Sequence, residues 1–141
     1  MEDSKEIEKV RLSWAAAWPR RERLGRLFYA RLFDRAPETR ALFRQDAEAQ
    51  ADKLTRTLDF VVEHLDEPER MAPEMRALAR RHVHYGAEPA HYGVLGEALL
   101  WALRETLGSD GFDDPTRDAW AQAYADLCAL MLAAAAEDED R

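Results

Sequence analysis

The chain has 141 residues, 47% hydrophobic and 34% charged, with a net charge of −8 and a pI near 5.0. This is the balance of a soluble globular protein, and the length predicts a single domain, 1–141, large enough to bury a core. The acidic excess repels phosphate backbones and anionic bilayers, so neither nucleic acid nor a membrane surface is an expected partner. No apolar stretch is long enough to span a bilayer, and the opening MEDSKEIEKV is too charged for a secretion signal, which predicts a cytoplasmic protein. The one cysteine, Cys128, can form neither an internal disulfide nor a thiolate cluster and reads as a small core residue on a helix.

Strand signals are nearly absent and helical periodicity runs throughout. A first helix begins near Ser4, with Glu6 and Glu8 in its first turn and a stripe of Ile7, Val10 and Trp14. Pro19 interrupts it. The next helix, around Leu24 to Phe33, is apolar on more than one side, the mark of a central position. Pro37 can open a short helix through Phe43, and a polar linker, Arg44 to Glu48, follows. Gln50, Leu54, Leu58, Val61 and Leu65 then repeat at helical spacing. Asp66, Glu67, Pro68 and Pro73 mark a break and restart, after which Met75, Leu78, His82 and Tyr85 share a face up to a stop at Gly86. A helix from about Pro89 to Leu107 turns Tyr92, Leu95, Leu99, Ala102 and Leu103 inward. Gly108 to Gly111 form a turn. The last helix, from about Asp114 to Ala136, carries Trp120, Tyr124, Leu127, Met131 and Ala134, and the acidic end, 137–141, reads as frayed. Seven or eight unequal helices with short connections predict an all-α pack at mixed crossing angles rather than an up-down bundle.

Three residues on these apolar faces carry chemistry. His82 is the one histidine of four on a clear apolar stripe; it is either a satisfied core residue or a ligand. His64, His84 and His91 read as solvated surface. Gln50 heads an apolar stripe and is either the exposed start of a helix or an amide in need of a partner. Tyr29 lies on the central helix, where its hydroxyl needs an acceptor such as a backbone carbonyl. Phosphate loops, nucleophile elbows and HExxH motifs are missing, and the carboxylates lack metal-cage spacing.

In order, the blocks Leu27 to Phe33, Ala36-Pro37-Glu38, Ala41-Leu42-Phe43, Arg80 to Gly86, His91 to Glu97, and Ala119 to Tyr124 resemble the single-domain bacterial haemoglobins and the globin domains of flavohaemoglobins. The resemblance covers nearly the whole chain. It implies a globin fold around haem b, which is expected to be non-covalent because no CxxCH motif is present. By the same resemblance His82 matches the proximal iron ligand, Phe43 the ring packed on the haem, Gln50 the distal position, Leu54 the aliphatic residue over the iron, and Tyr29 the distal tyrosine. Lys53, on the rim side, matches a partner for a propionate. Ligation by His82 would leave its other ring nitrogen in need of an acceptor, for which the carbonyl of Leu78, one turn earlier, is the candidate. Tyr92 matches the tyrosine that bacterial haemoglobins often connect to the proximal histidine. The glutamate of that connection is replaced by Ala135, with Glu137 two residues on, which argues against a strongly basic, peroxidase-like proximal histidine.

The function so implied is reversible binding of O2, with CO and NO as further ligands and NO dioxygenation as an allied activity. Turnover would need a separate flavin-dependent reductase, since no nucleotide-binding fingerprint is found in the 141 residues. A haem-based gas or redox sensor is the alternative, and a monomer or weak homodimer is expected.

Overall fold

The computed structural model describes residues 2–42, 47–84 and 89–139; the side chains at 2–3, 42, 47, 82–84, 89–90, 134–135 and 137–139 lie outside that description. Among the described residues six α-helices and two 3-10 helices follow one another without a strand. They are α1 (Glu2–Ala17), a 3-10 turn (Trp18–Arg20), α2 (Arg21–Arg35), a 3-10 helix (Pro37–Leu42), α3 (Ala47–Glu63), α4 (Pro68–His84), α5 (Pro89–Gly111) and α6 (Asp114–Glu139).

Two expectations change. The polar linker is shorter, because α3 already begins at Ala47. Pro73 does not break the chain: it stands inside α4, early enough that the amide it lacks costs a single helical bond, while Pro68 occupies the first position. The Gly108 to Gly111 turn is present within the assigned span of α5, where Gly108 leaves helical geometry at φ +78°, a conformation that needs no Cβ. Tyr85 and Gly86, the expected end of α4, lie outside the described residues.

Packing follows the apolar stripes. α2, buried through Leu24, Phe28 and Leu32, lies along both α3 and α5, as its many-sided apolarity predicted. The α2 and α3 backbones approach closely at Gly25, where a Cβ would stand 2.5 Å from the Cβ of Ala51. α1 packs on α5 and α6 through Val10 and Trp14. Its polar ties reach other helices: Trp120 Nε1 of α6 donates to Ser13 Oγ at 2.7 Å, and Trp14 Nε1 to the carboxylate of Asp59 on α3 at 3.0 Å. Arg11 donates to the last carbonyls of α3, Val62 at 3.2 Å and Glu63 at 2.9 Å, and so satisfies acceptors that a helix end leaves open. Arg31 of α2 holds Glu97 of α5 through contacts of 2.6 and 3.0 Å, its guanidinium lying over Trp101. That pair holds the Glu97 carboxyl below the usual carboxylate range.

The buried side chains form two cores. The larger joins α1, α2, α5 and the first helical turns of α6 to the middle of α3, including Phe28, Tyr29, Leu58, Leu99, Leu103 and Trp120. The smaller joins the end of α3 to α4 and the far part of α6 through Val61, Met71, Met75, Ala79 and Met131. Leu65, in the corner between α3 and α4, packs against both.

Candidate functional site

Of the expected site residues, Tyr29 and Leu54 belong with the larger core, and Leu78 and Tyr92 with the smaller. Leu54 packs on the larger core and Leu78 on the smaller, and α3 and α4 make no extended pairing among the described residues. On α5 the border passes between Tyr92, on the smaller core, and Leu95, one turn later, on the larger. Leu54, Leu78, Tyr92 and Leu95 are apolar or aromatic, yet each is only half-buried. Half-buried apolar side chains on both banks of one border fit a flat apolar group between them.

On the larger-core bank stands Tyr29, 9% exposed, with its ring edge-on to Phe28 and 5.9 Å from Phe33. Its hydroxyl donates to the main-chain carbonyl of Gln50 at 3.2 Å, across the close crossing of α2 and α3. The acceptor is a backbone carbonyl, the kind of partner expected for a tyrosine on the central helix. Burial pushes the phenol up to about 12, so it stays protonated at neutral pH and remains a donor. Gln50 itself is half-buried, and Lys53 is exposed on the same helix.

On the other bank, the backbone of α4 places His82 four residues after Leu78 and seven after the buried Met75, on the helix face that carries this core. Its ring, like the whole of Phe43, lies outside the described residues. Tyr92 brings a half-buried phenol raised by desolvation and, secondarily, by Cys128. Its main-chain carbonyl accepts a 2.5 Å bond from the hydroxyl of Tyr124, whose ring lies so close to Gly96 that a Cβ there would meet it at 2.6 Å. Cys128 is half-buried one turn beyond Tyr124, and burial pushes its thiol up. A raised thiol is a poor nucleophile, in keeping with a packing role.

Two histidines are less solvated than their neighbours in sequence suggested. His64 is half-buried, stacked 4.4 Å from Phe60, with Nδ1 donating to the Phe60 carbonyl at 2.8 Å. The His91 side chain is 14% exposed and stands 4.0 Å from Glu38. The cover on His64 is local, from Phe60 one helical turn earlier, whereas His91 lies beside Glu38 of the 3-10 helix, distant in sequence. Sequence reasoning also passed over Thr39, buried with Oγ1 on the carbonyl of Ala36 at 2.6 Å, which shapes the entry to the 3-10 helix. No helix among the described residues is long and apolar enough to cross a membrane.

The chain is 36% identical over 114 residues to a flavohemoprotein of Bordetella parapertussis, and 31% identical over 117 residues to one of Rhizobium meliloti. These alignments cover 79% and 81% of this chain but only 28% and 29% of the relatives. Among solved structures, an engineered carbene transferase from the Rhodothermus marinus protein named for nitric oxide dioxygenation superposes with a TM-score of 0.84 at 29% identity, covering 96% of this chain and 94% of that one. A bacterial globin from Campylobacter jejuni gives a TM-score of 0.87 at 23% identity, covering 98% and 99% of the two chains, a likeness of fold. Residues 26–131 match the globin family model, and with these relatives and this helical architecture the chain belongs to the globin family.

Proposed function

We propose that this chain holds haem b, non-covalently, along the border between its two cores and binds diatomic gases there reversibly, with NO dioxygenation as its allied chemistry. The observation that carries this reading is the pairing of the two banks. A buried, protonated Tyr29 is held at Gln50 on one, and the Met75–Leu78 face of α4, continued by His82, forms the other. Flavohemoproteins among the relatives support it.

Ferrous haem, when bound, supplies an open iron coordination site for O2, CO or NO and an electron to share with the gas. The residues do the rest. His82 offers a neutral imidazole nitrogen to the iron, with the carbonyl of Leu78 one turn earlier to orient the ring. Leu54 and Phe43 keep water out of the pocket. Gln50 donates a hydrogen bond to a ligand that takes on negative charge, and the single Tyr29 proton turns to it from the long bond to the Gln50 carbonyl, favouring O2 over CO. Lys53, exposed on the rim, suits a propionate carboxylate. Tyr92 borders the histidine side. The net reaction with nitric oxide joins one NO, one O2 and one electron into nitrate, the electron coming from a flavin-dependent reductase. We place the protein in the cytoplasm as a monomer or weak homodimer.

Absorption spectra test the proposal. The reduced protein should show a haem spectrum that shifts on O2 and CO and returns on removal of the gas. His82→Ala should lose the haem, whereas His84→Ala should keep it. A His82→Ala variant with an unaltered five-coordinate ferrous spectrum overturns the assignment.

A further inference from the structure

Three of the four tryptophans form one array that runs from the interior to the surface. Its inner member, Trp120, is buried beside Leu58 and Leu99, each one helical turn beyond a residue at the border of the cores, Leu54 and Leu95. Ring centre to ring centre, Trp120 stands 6.1 Å from Trp14, and Trp14 stands 5.9 Å from Trp18. Trp14 is 4% exposed, whereas Trp18, in the turn between α1 and α2, is only half-buried. Indole is among the side chains that give up an electron most readily, and rings this close exchange one by tunnelling.

The charges along the array differ. Trp14 Nε1 donates to the carboxylate of Asp59 at 3.0 Å, so a positive charge on that ring is stabilised and its proton has an exposed acceptor. Trp18 lies under the guanidinium of Arg21, 4.3 Å from the ring centre, which attracts the neutral ring and repels a ring that has lost an electron. An oxidising equivalent therefore rests at Trp14. Arg20 and Arg23, exposed on either side of Arg21 in the chain, add positive charge to this corner of a protein whose net charge is −8. An anion drawn to Arg21 cancels its repulsion and opens the last step to Trp18.

We propose that Trp18 and Arg21 form a second redox site, away from the haem, where an anionic one-electron reductant of the enediolate class refills the tryptophan array after a peroxide has oxidised the haem side. That the chain holds haem rests on the function proposed above. One hydrogen peroxide and two ascorbate monoanions give two waters and two ascorbate radical anions. Each monoanion passes an electron to Trp18 and a proton to water, and the proton held by Asp59 returns to Trp14 as the electron arrives. The proximal histidine is not expected to be strongly basic, so the reaction with peroxide is slow; the array decides where the oxidising equivalent goes.

Peptide mass mapping of the haem-loaded ferric protein after hydrogen peroxide tests this. Oxidation products should collect at Trp14 rather than at the more open Trp18, and ascorbate should suppress them. In Trp18→Phe, ascorbate should no longer protect Trp14. In Arg21→Gln, the products should shift from Trp14 toward Trp18, and the KM for ascorbate should rise without a fall in kcat. Both positions are only half-buried, which spares the core. Undiminished protection by ascorbate in Trp18→Phe overturns the proposal, as does an unchanged product pattern in Arg21→Gln or the same pattern in haem-free protein. A chain that takes up no haem sinks the function above, and the array is then read with azide radicals, which oxidise accessible tryptophans. A product at buried Trp14 that disappears in Trp18→Phe supports the connection, and an unmarked Trp14 overturns it.

Discussion

Removing one oxygen atom, in Tyr29→Phe, separates a structural tyrosine from a ligand-binding one. The hydroxyl donates to the Gln50 carbonyl at 3.2 Å, longer than the 2.5–3.0 Å usual for such bonds, and that carbonyl also lies inside a helix with its own amide partner. A neutral bond of ordinary length contributes about 0.5–1.5 kcal/mol, so this one belongs at or below the low end, and the phenylalanine ring keeps the contacts with Phe28 and Phe33. The expected loss in urea unfolding is about 0.5 kcal/mol. Bound oxygen, carrying partial negative charge, would accept a stronger bond from the same hydroxyl, about 1.5–3 kcal/mol, and its loss corresponds to roughly ten-fold or more in dissociation rate. Stopped-flow displacement of O2 by CO should therefore show release about ten-fold faster, with CO release changed far less. Because the proposed function sets Gln50 on the same ligand, Gln50→Leu should have a non-additive effect in the double variant. An unchanged O2 release rate together with a loss of 1 kcal/mol or more, on the order of a full hydrogen bond, would refute the ligand role and leave Tyr29 as a tie between α2 and α3.

Other outcomes are expected on the same footing. Gly25→Ala should destabilise by about 1–2 kcal/mol, because overpacking against Ala51 outweighs the helix-propensity gain of about 0.5–1 kcal/mol, and Ala51→Gly should recover most of it; a more stable single variant in thermal unfolding refutes the close crossing. Tyr29 has a folded-state value of about 12 against an unfolded value of 10.0, so the folded state holds its proton more tightly. Its contribution is complete below pH 10 and is lost as pH rises to about 12, and Tyr124 moves the same way. Unfolding titrations should show this alkaline loss reduced in Tyr29→Phe, and an identical pH profile in both proteins contradicts it. Mixing the oxygenated protein with NO in a stopped flow should yield nitrate and ferric haem in one encounter, with turnover on addition of a flavin-dependent reductase; a persistent oxygenated spectrum rules this out.

Much of the fold was legible because helices announce themselves locally. The stripes Val10–Trp14, Leu58–Val61–Leu65 and Leu99–Ala102–Leu103 recur at helical spacing, and proline or glycine punctuates the intervals. The many-sided apolarity of α2 gave away its central place for the same reason. The ordered blocks around Tyr29, His82 and Tyr92 carried the family resemblance. Pro73 misled because a proline's effect depends on where in a helix it falls, and that depends on where the helix starts.

What periodicity could not supply is which stripe meets which. His91 reads as surface, yet its side chain is 14% exposed with Glu38 of the distant 3-10 helix 4.0 Å away, since a helix face is covered by whatever element crosses it. The partner of Tyr29, twenty-one residues away, required the α2 and α3 backbones to approach at Gly25 and Ala51. The division into two cores, with Leu54 on one bank and Leu78 on the other, exists only once all the helices are in place. An apolar stripe in a sequence states that a face will be buried. Because hydrophobic burial is non-directional, only the closed packing of side chains from distant segments decides against what, and where the packing leaves room.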